Sequence, residues 1–198
     1  MSPNSHDAQA AEQYTILAVC TGNICRSPAM ERLLAHLLRG EDGITVISAG
    51  TYAHDGEDMQ KQMKDRIADY GAEVEDFVAE QVTPTMIIES DLVLAATRVH
   101  VNDMLAEVPE AEPKIFTLRE FGRILEELEP KSLPQGDTSE KLKALTELVS
   151  ERRTDSAEAG EEDDVVDPYM LPDDVFDESF RQIREPIEAL GRVLGLRS

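Results

Sequence analysis

The chain has 198 residues, enough for one domain with a sizeable core, and carries 41 acidic against 19 basic side chains, a formal net charge of −22. No basic stripe is available to meet nucleic-acid phosphates or an anionic membrane surface, and no apolar run is long enough to span a bilayer. Two cysteines and scattered histidines (His6, His36, His54, His100) supply no paired metal-binding spacing, so neither a metal nor a cofactor is expected.

Residues 1–13 are polar, lack the apolar core of a signal peptide and read as a disordered leader, so a cytoplasmic location is expected. Residues 14–198 read as a single domain. An apolar run predicts a first strand over Thr15 to Val19. The loop Cys20 to Ser27 follows, and then a helix with Pro28 at its first position and Met30, Leu33, Leu34 and Leu37 on one face. A second strand is predicted over Ile44 to Ser48. Met59, Met63, Ile67 and Tyr70 mark a helix closed by Gly71. Thr83-Pro84 opens a short helix before a third strand, Leu92 to Ala95. Val101, Met104, Leu105 and Val108 mark the next helix, and Lys114 to Phe116 a fourth strand. Thr117 with Glu120 predicts a capping box for a helix bearing Phe121, Ile124, Leu125 and Leu128. Leu142, Leu145, Leu148 and Val149 lie on one more helix. The acidic stretch 154–164 reads as a flexible loop. A last helix runs from about Asp173 to Leu194, with Pro186 expected to kink or split it. Strands alternating with helices predict an α/β fold: a four-stranded parallel sheet with helices on both faces, a Rossmann-like three-layer sandwich.

The segment Cys20-Thr21-Gly22-Asn23-Ile24-Cys25-Arg26-Ser27-Pro28 sits between the first strand and the first helix. Loop N–H groups and the helix start then converge on one spot, a site for phosphate or another tetrahedral oxyanion at the carboxyl end of the strand. Cys20 places a nucleophile at the bottom of that site, where the same dipoles and Arg26 favour its thiolate. Arg26 offers paired hydrogen bonds to equatorial phosphate oxygens. Ser27 has two uses, capping the helix and stabilising a thiolate leaving group. Far downstream, Asp167-Pro168 supplies a carboxyl fixed by a following proline, suited to protonate a departing ester oxygen. A nucleotide-binding loop would need a lysine here, and there is none.

Cys20 to Pro28, with Asp167-Pro168-Tyr169, resembles the low-molecular-weight protein tyrosine phosphatase family over nearly the whole chain, from about Tyr14 to about Leu194. The long stretch from Pro130 to Asp164 is similar to that of actinobacterial members. The resemblance implies a phosphatase I-like fold and hydrolysis of phosphotyrosine in proteins through a phosphocysteine. It assigns Cys20 as nucleophile, Arg26 as the phosphate-binding arginine and Asp167 as general acid. Asn23 would hold the loop in a left-handed-tolerant shape, braced by Ser48, and Ser27 would hydrogen-bond the thiolate. Thr21, Gly22, Ile24 and Cys25 complete the phosphate cradle, and Tyr52 and Tyr169 would flank the substrate ring. Cys25 would form a reversible disulfide with Cys20 under oxidation. An acidic loop beside such a site is expected to favour substrates with basic residues near the phosphotyrosine.

Two other readings stand beside this one. An arsenate reductase on the same fold would need an external thiol, since no cysteine follows Cys25. A non-catalytic phosphotyrosine-binding or redox-sensing module would be expected to have lost the nucleophile or the acid, and both are present.

Overall fold

Four short segments rich in Ile, Leu, Val and Ala form the centre of the molecule, because strands buried on both faces need side chains without polar groups. The computed structural model describes residues 13–128, 133–155 and 161–196. Strands β1 (Tyr14–Cys20), β2 (Ile44–Gly50), β3 (Leu92–Ala95) and β4 (Ile115–Thr117) pair in the order β2-β1-β3-β4, all parallel. The order reverses at β1, and Cys20 is its last residue, opposite Gly50 of β2. A crevice at that carboxyl edge is where ligands bind in open parallel sheets.

Alternation along the strands divides the core in two. Ile16, Ala18, Leu92 and Leu94 face α1 (Arg26–Leu37), α2 (Lys61–Tyr70), α5 (Leu118–Glu127), α6 (Thr138–Asp155) and α7 (Asp173–Leu194). Leu17, Val19, Val93 and Ala95 face α3 (Pro84–Glu89) and α4 (Arg98–Glu107). The predicted layers and all four strands are therefore present, with ends shifted by up to two residues.

Several local expectations change. Helix α1 begins at Arg26, so Pro28 is its third residue, and no side chain caps it. The Thr117 hydroxyl does accept the Glu120 N–H, but the Glu120 carboxylate does not return the bond. It is buried instead between Arg98 and Arg153, at 3.8 and 3.6 Å. Pro186 does not split α7, which runs unbroken for 22 residues. The proline packs where Gly122 of α5 lacks a side chain: a Cβ there would lie 2.5 Å from that of Pro186. Of the acidic stretch, Thr154 and Asp155 belong to α6, 156–160 lie outside the described residues, and Glu161–Asp163 form a 3-10 turn. Its end is anchored rather than free, as shown below. Residues 1–12 of the expected leader also lie outside the described residues. No helix among the described residues is long and apolar enough to cross a membrane.

Candidate active site

Between β1 and α1 the chain turns through a loop that wraps around one point. Asn23 takes φ +53°, a left-handed conformation that asparagine tolerates better than most residues. Its side chain holds the turn from three directions. Nδ2 donates to Ser27 Oγ at 2.8 Å and to Ser48 Oγ at 2.9 Å, and Oδ1 accepts the Glu80 N–H at 2.9 Å. The Ser48 hydroxyl passes the chain on to Glu31, at 2.5 Å. Burial pushes the Glu31 carboxyl up, against the pull of that hydrogen bond. Gly50 lets the loop close over the sheet, since a Cβ there would stand 2.4 Å from the Thr21 carbonyl oxygen.

The Cys20 sulfur lies 3.0 Å from Ser27 Oγ. Ser27 accepts from Asn23 and has its proton free for sulfur or for the Ala49 carbonyl, 3.3 Å away. The expected helix cap is absent because α1 starts at Arg26, which places Ser27 inside the first turn, and the hydroxyl turns inward to the thiol. Cys25 is a different thiol: burial first, then the neighbouring Cys20 and Asp167, push it up to about 12, so it is protonated at neutral pH.

Arg26, at the start of α1, is buried and points across the loop. Its Nη2 donates to Asp167 Oδ2 at 2.9 Å and its Nη1 to the Val165 carbonyl at 3.3 Å. Residues 141 positions apart in sequence therefore meet at the mouth of one cavity of about 160 Å³. Cys20, Thr21, Gly22, Ile24, Cys25, Arg26, Tyr52, His54, Asp167 and Tyr169 line it. Tyr52 and Tyr169 form exposed walls, and Tyr169 meets His54 edge to face at 5.7 Å between ring centroids. Roomier hollows, of about 240, 360 and 480 Å³, contain neither cysteine, so size alone would misplace the site. Pro168 follows Asp167 into a turn closed by the Leu171 N–H on the Pro168 carbonyl.

His100 has no counterpart among the expected site residues. Its Nε2 lies 2.8 Å from Thr21 Oγ1 and its Nδ1 2.8 Å from Thr97 Oγ1. Burial, reinforced by the Arg26 charge, pushes it down to about 4, so the ring is neutral. A consistent donor order runs from Arg26 to Thr21, to His100 and on to Thr97. The local signal was slight: a histidine on the buried side of an amphipathic helix. Glu31, Glu80, His54 and Gln182 also support or line the site, and nothing in their local sequence marks them. Among the described residues, no three His, Cys, Asp or Glu side chains are grouped to hold a metal ion.

The family model for "Low molecular weight phosphotyrosine protein phosphatase" matches residues 15–152. The chain belongs to this family. Its members include Etp of Escherichia coli (strain K12), a low molecular weight protein-tyrosine-phosphatase, 36% identical over 115 residues that cover 58% of this chain and 74% of Etp. A protein-arginine-phosphatase of Geobacillus stearothermophilus is 36% identical over 108 residues, 54% of this chain and 71% of that one. The crystal structure of the Erwinia amylovora tyrosine phosphatase AmsI has the same fold, with a TM-score of 0.65 at 24% identity over 96% of this chain and 97% of AmsI. The protein is accordingly a cysteine-based phosphatase. The matched segment ends at residue 152, so Asp167 and the strand of chain that carries it lie beyond it.

Proposed function

We propose that this phosphatase hydrolyses phosphotyrosine monoesters in proteins, with Cys20 as nucleophile, Arg26 as phosphate ligand and Asp167 as general acid. The observation that carries the reading is the convergence of Cys20, Arg26 and Asp167 on one small cavity with two tyrosine walls. In the first step the Cys20 thiolate attacks phosphorus, the S–P bond forms, and the ester P–O bond breaks. The proton of the Asp167 carboxyl goes to the departing phenol oxygen. In the second step a water attacks the phosphocysteine and gives a proton to the Asp167 carboxylate. The S–P bond breaks and its electron pair returns to sulfur, where the Ser27 hydroxyl donates to the thiolate. Loop N–H groups, the start of α1 and Arg26 stabilise the equatorial oxygens throughout. The Arg26–Asp167 pair must open first, because phosphate needs the guanidinium and the leaving oxygen needs the carboxyl.

The Geobacillus relative makes phosphoarginine the second reading. The lining argues for tyrosine: Ile24, Tyr52 and Tyr169 suit a phenyl ring, and Asp167 is the one carboxylate among the described lining residues. With Asp167 engaged at the leaving atom, no other carboxylate remains in the lining for guanidinium N–H groups. The same reading places the protein in the cytoplasm, where a reducing environment keeps the Cys20 and Cys25 thiols free. Its partners would be phosphotyrosine proteins and inorganic phosphate, with the −22 charge opposing nucleic acid and anionic membranes.

Steady-state hydrolysis of a phosphotyrosine peptide, a phosphoarginine protein and 4-nitrophenyl phosphate in EDTA tests the proposal. Turnover of the aryl esters that Cys20→Ser abolishes is the expected result. Preferred turnover of phosphoarginine would overturn the substrate assignment. Thiol-dependent arsenate reduction without ester hydrolysis would overturn the phosphotyrosine reading altogether.

A further inference from the structure

Asp167 ends a five-residue strap in which every residue is held by another segment of the chain. The Asp163 carboxylate accepts from Arg123 of α5, at 3.0 Å to Nη2, and is buried although most acids of this chain face water. Asp164 Oδ1 accepts the backbone N–H of Arg98, the first residue of α4, at 2.7 Å. The Asp164 carbonyl accepts from Arg119 Nη1 at 2.9 Å. Val165 donates its N–H to the Ala96 carbonyl at 2.8 Å and buries its side chain. The Val166 N–H donates to Gln182 Oε1 of α7 at 2.8 Å.

The start of α4 is the fixed point of this arrangement. Thr97, at its cap position, makes no capping bond, because its hydroxyl is engaged by His100. Asp164 fills that place from a remote segment. Through His100 the same turn of helix grips Thr21 of the phosphate loop. Glu120, buried between Arg98 and Arg153, ties α4, α5 and α6 together beneath it. One rigid helix end thus references both the anion loop and the chain leading to the acid.

This matters during turnover. The Asp167 side chain is 52% exposed and its tether to another segment is Arg26. Once Arg26 turns to phosphate, the position of the carboxyl depends on the backbone that precedes it. We propose that Asp163 and Asp164 are positioning residues for proton transfer by Asp167, acting through the 163–167 backbone without touching substrate. The proposal rests on the reading of Asp167 as general acid. A misplaced acid slows departure of a poor leaving group and scarcely affects a good one, which departs without a proton.

The test compares kcat/KM on phenyl phosphate, whose leaving group resembles that of tyrosine, with kcat/KM on 4-nitrophenyl phosphate. Asp164→Ala, Asp164→Asn, Arg123→Met and Asp167→Asn are measured beside wild type. Arg123→Met breaks the Asp163 pair from its more exposed side, where misfolding is least expected. For Asp164→Ala and Arg123→Met the expected loss is about tenfold on phenyl phosphate, a fraction of what a general acid supplies, and less than about twofold on 4-nitrophenyl phosphate. Asp164→Asn keeps an acceptor oxygen for the Arg98 N–H and should restore the phenyl phosphate rate. Equal losses on both substrates, or none on either, would overturn the strap proposal while leaving the role of Asp167 standing. If Asp167→Asn itself showed no leaving-group dependence, the general-acid reading and the strap would fall together.

Discussion

Asp167→Asn should slow catalysis and at the same time tighten phosphate binding. In the structure the Asp167 carboxylate holds Arg26 at 2.9 Å, with the two side chains 52% and 5% exposed. In the proposed mechanism phosphate takes that guanidinium from it. A half-exposed ion pair of this kind is worth about 0–1 kcal/mol, which the amide gives up. The carboxylate also repels a dianion in the loop. At roughly 5 Å and nearly bulk dielectric that costs about 1 kcal/mol per unit of phosphate charge before salt screening. Salt at physiological strength cuts the repulsion of the whole dianion to about 1 kcal/mol, so together these predict inorganic phosphate binding tighter by about 1–2 kcal/mol, or about fivefold to thirtyfold. Loss of the proposed proton donor should lower kcat/KM on phenyl phosphate by about 10²–10³. Competitive inhibition of 4-nitrophenyl phosphate hydrolysis by phosphate gives the first quantity, and calorimetric titration checks it without turnover. An inhibition constant that stays the same or rises in Asp167→Asn would refute the competition between Asp167 and phosphate for Arg26.

His100 titrates at about 4 in the fold against an ordinary histidine value of 6.5. Between these values the unfolded chain binds the extra proton, so this group makes stability fall as pH drops. The fall from pH 7 to pH 5 is about 2 kcal/mol. Urea unfolding at both pH values should show a loss smaller by about that amount in His100→Gln, and an unchanged pH dependence would refute the assignment. Gly50→Ala drives a Cβ to 2.4 Å from the Thr21 carbonyl and 3.0 Å from the Asn23 nitrogen. It should cost about 1–3 kcal/mol of stability and remove activity by opening the loop, read by thermal unfolding and by phosphate titration. Cys25, held protonated by burial, should resist iodoacetamide at pH 7 while Cys20 at the cavity floor is modified. Peptide mass spectrometry showing Cys25 labelled first would contradict this.

The local code of the chain was enough for the sheet and for the loop of the candidate site. Strands β1 to β4 announced themselves as short apolar runs because both faces of a parallel sheet are buried. Cys20, Asn23, Arg26 and Ser27 stood out because they are neighbours in one short loop, and in the structure Asn23 takes φ +53° there. Asp167 was marked by a following proline and by the family pattern, not by any local demand for its place.

What the tertiary structure decided lies between segments far apart in sequence. Ser27 was expected to cap α1, yet the helix starts one residue before it and its hydroxyl faces the Cys20 sulfur, with Asn23 and Ala49 converging on it. Pro186 was expected to kink or split α7, yet the helix runs unbroken, and its ring packs against α5 where Gly122 has no side chain. Asp163 and Asp164 belonged to an acidic run that composition alone reads as solvated. Arg123, Arg119 and the open start of α4 turn them into anchors. Periodicity and motif depend on neighbours along the chain, so sequence determined the elements and the Cys20–Ser27 loop. A hydrogen bond across 40 or 140 residues depends on where packing brings two backbones together, so only the fold fixed the strap, the His100 relay and the meeting of Arg26 with Asp167.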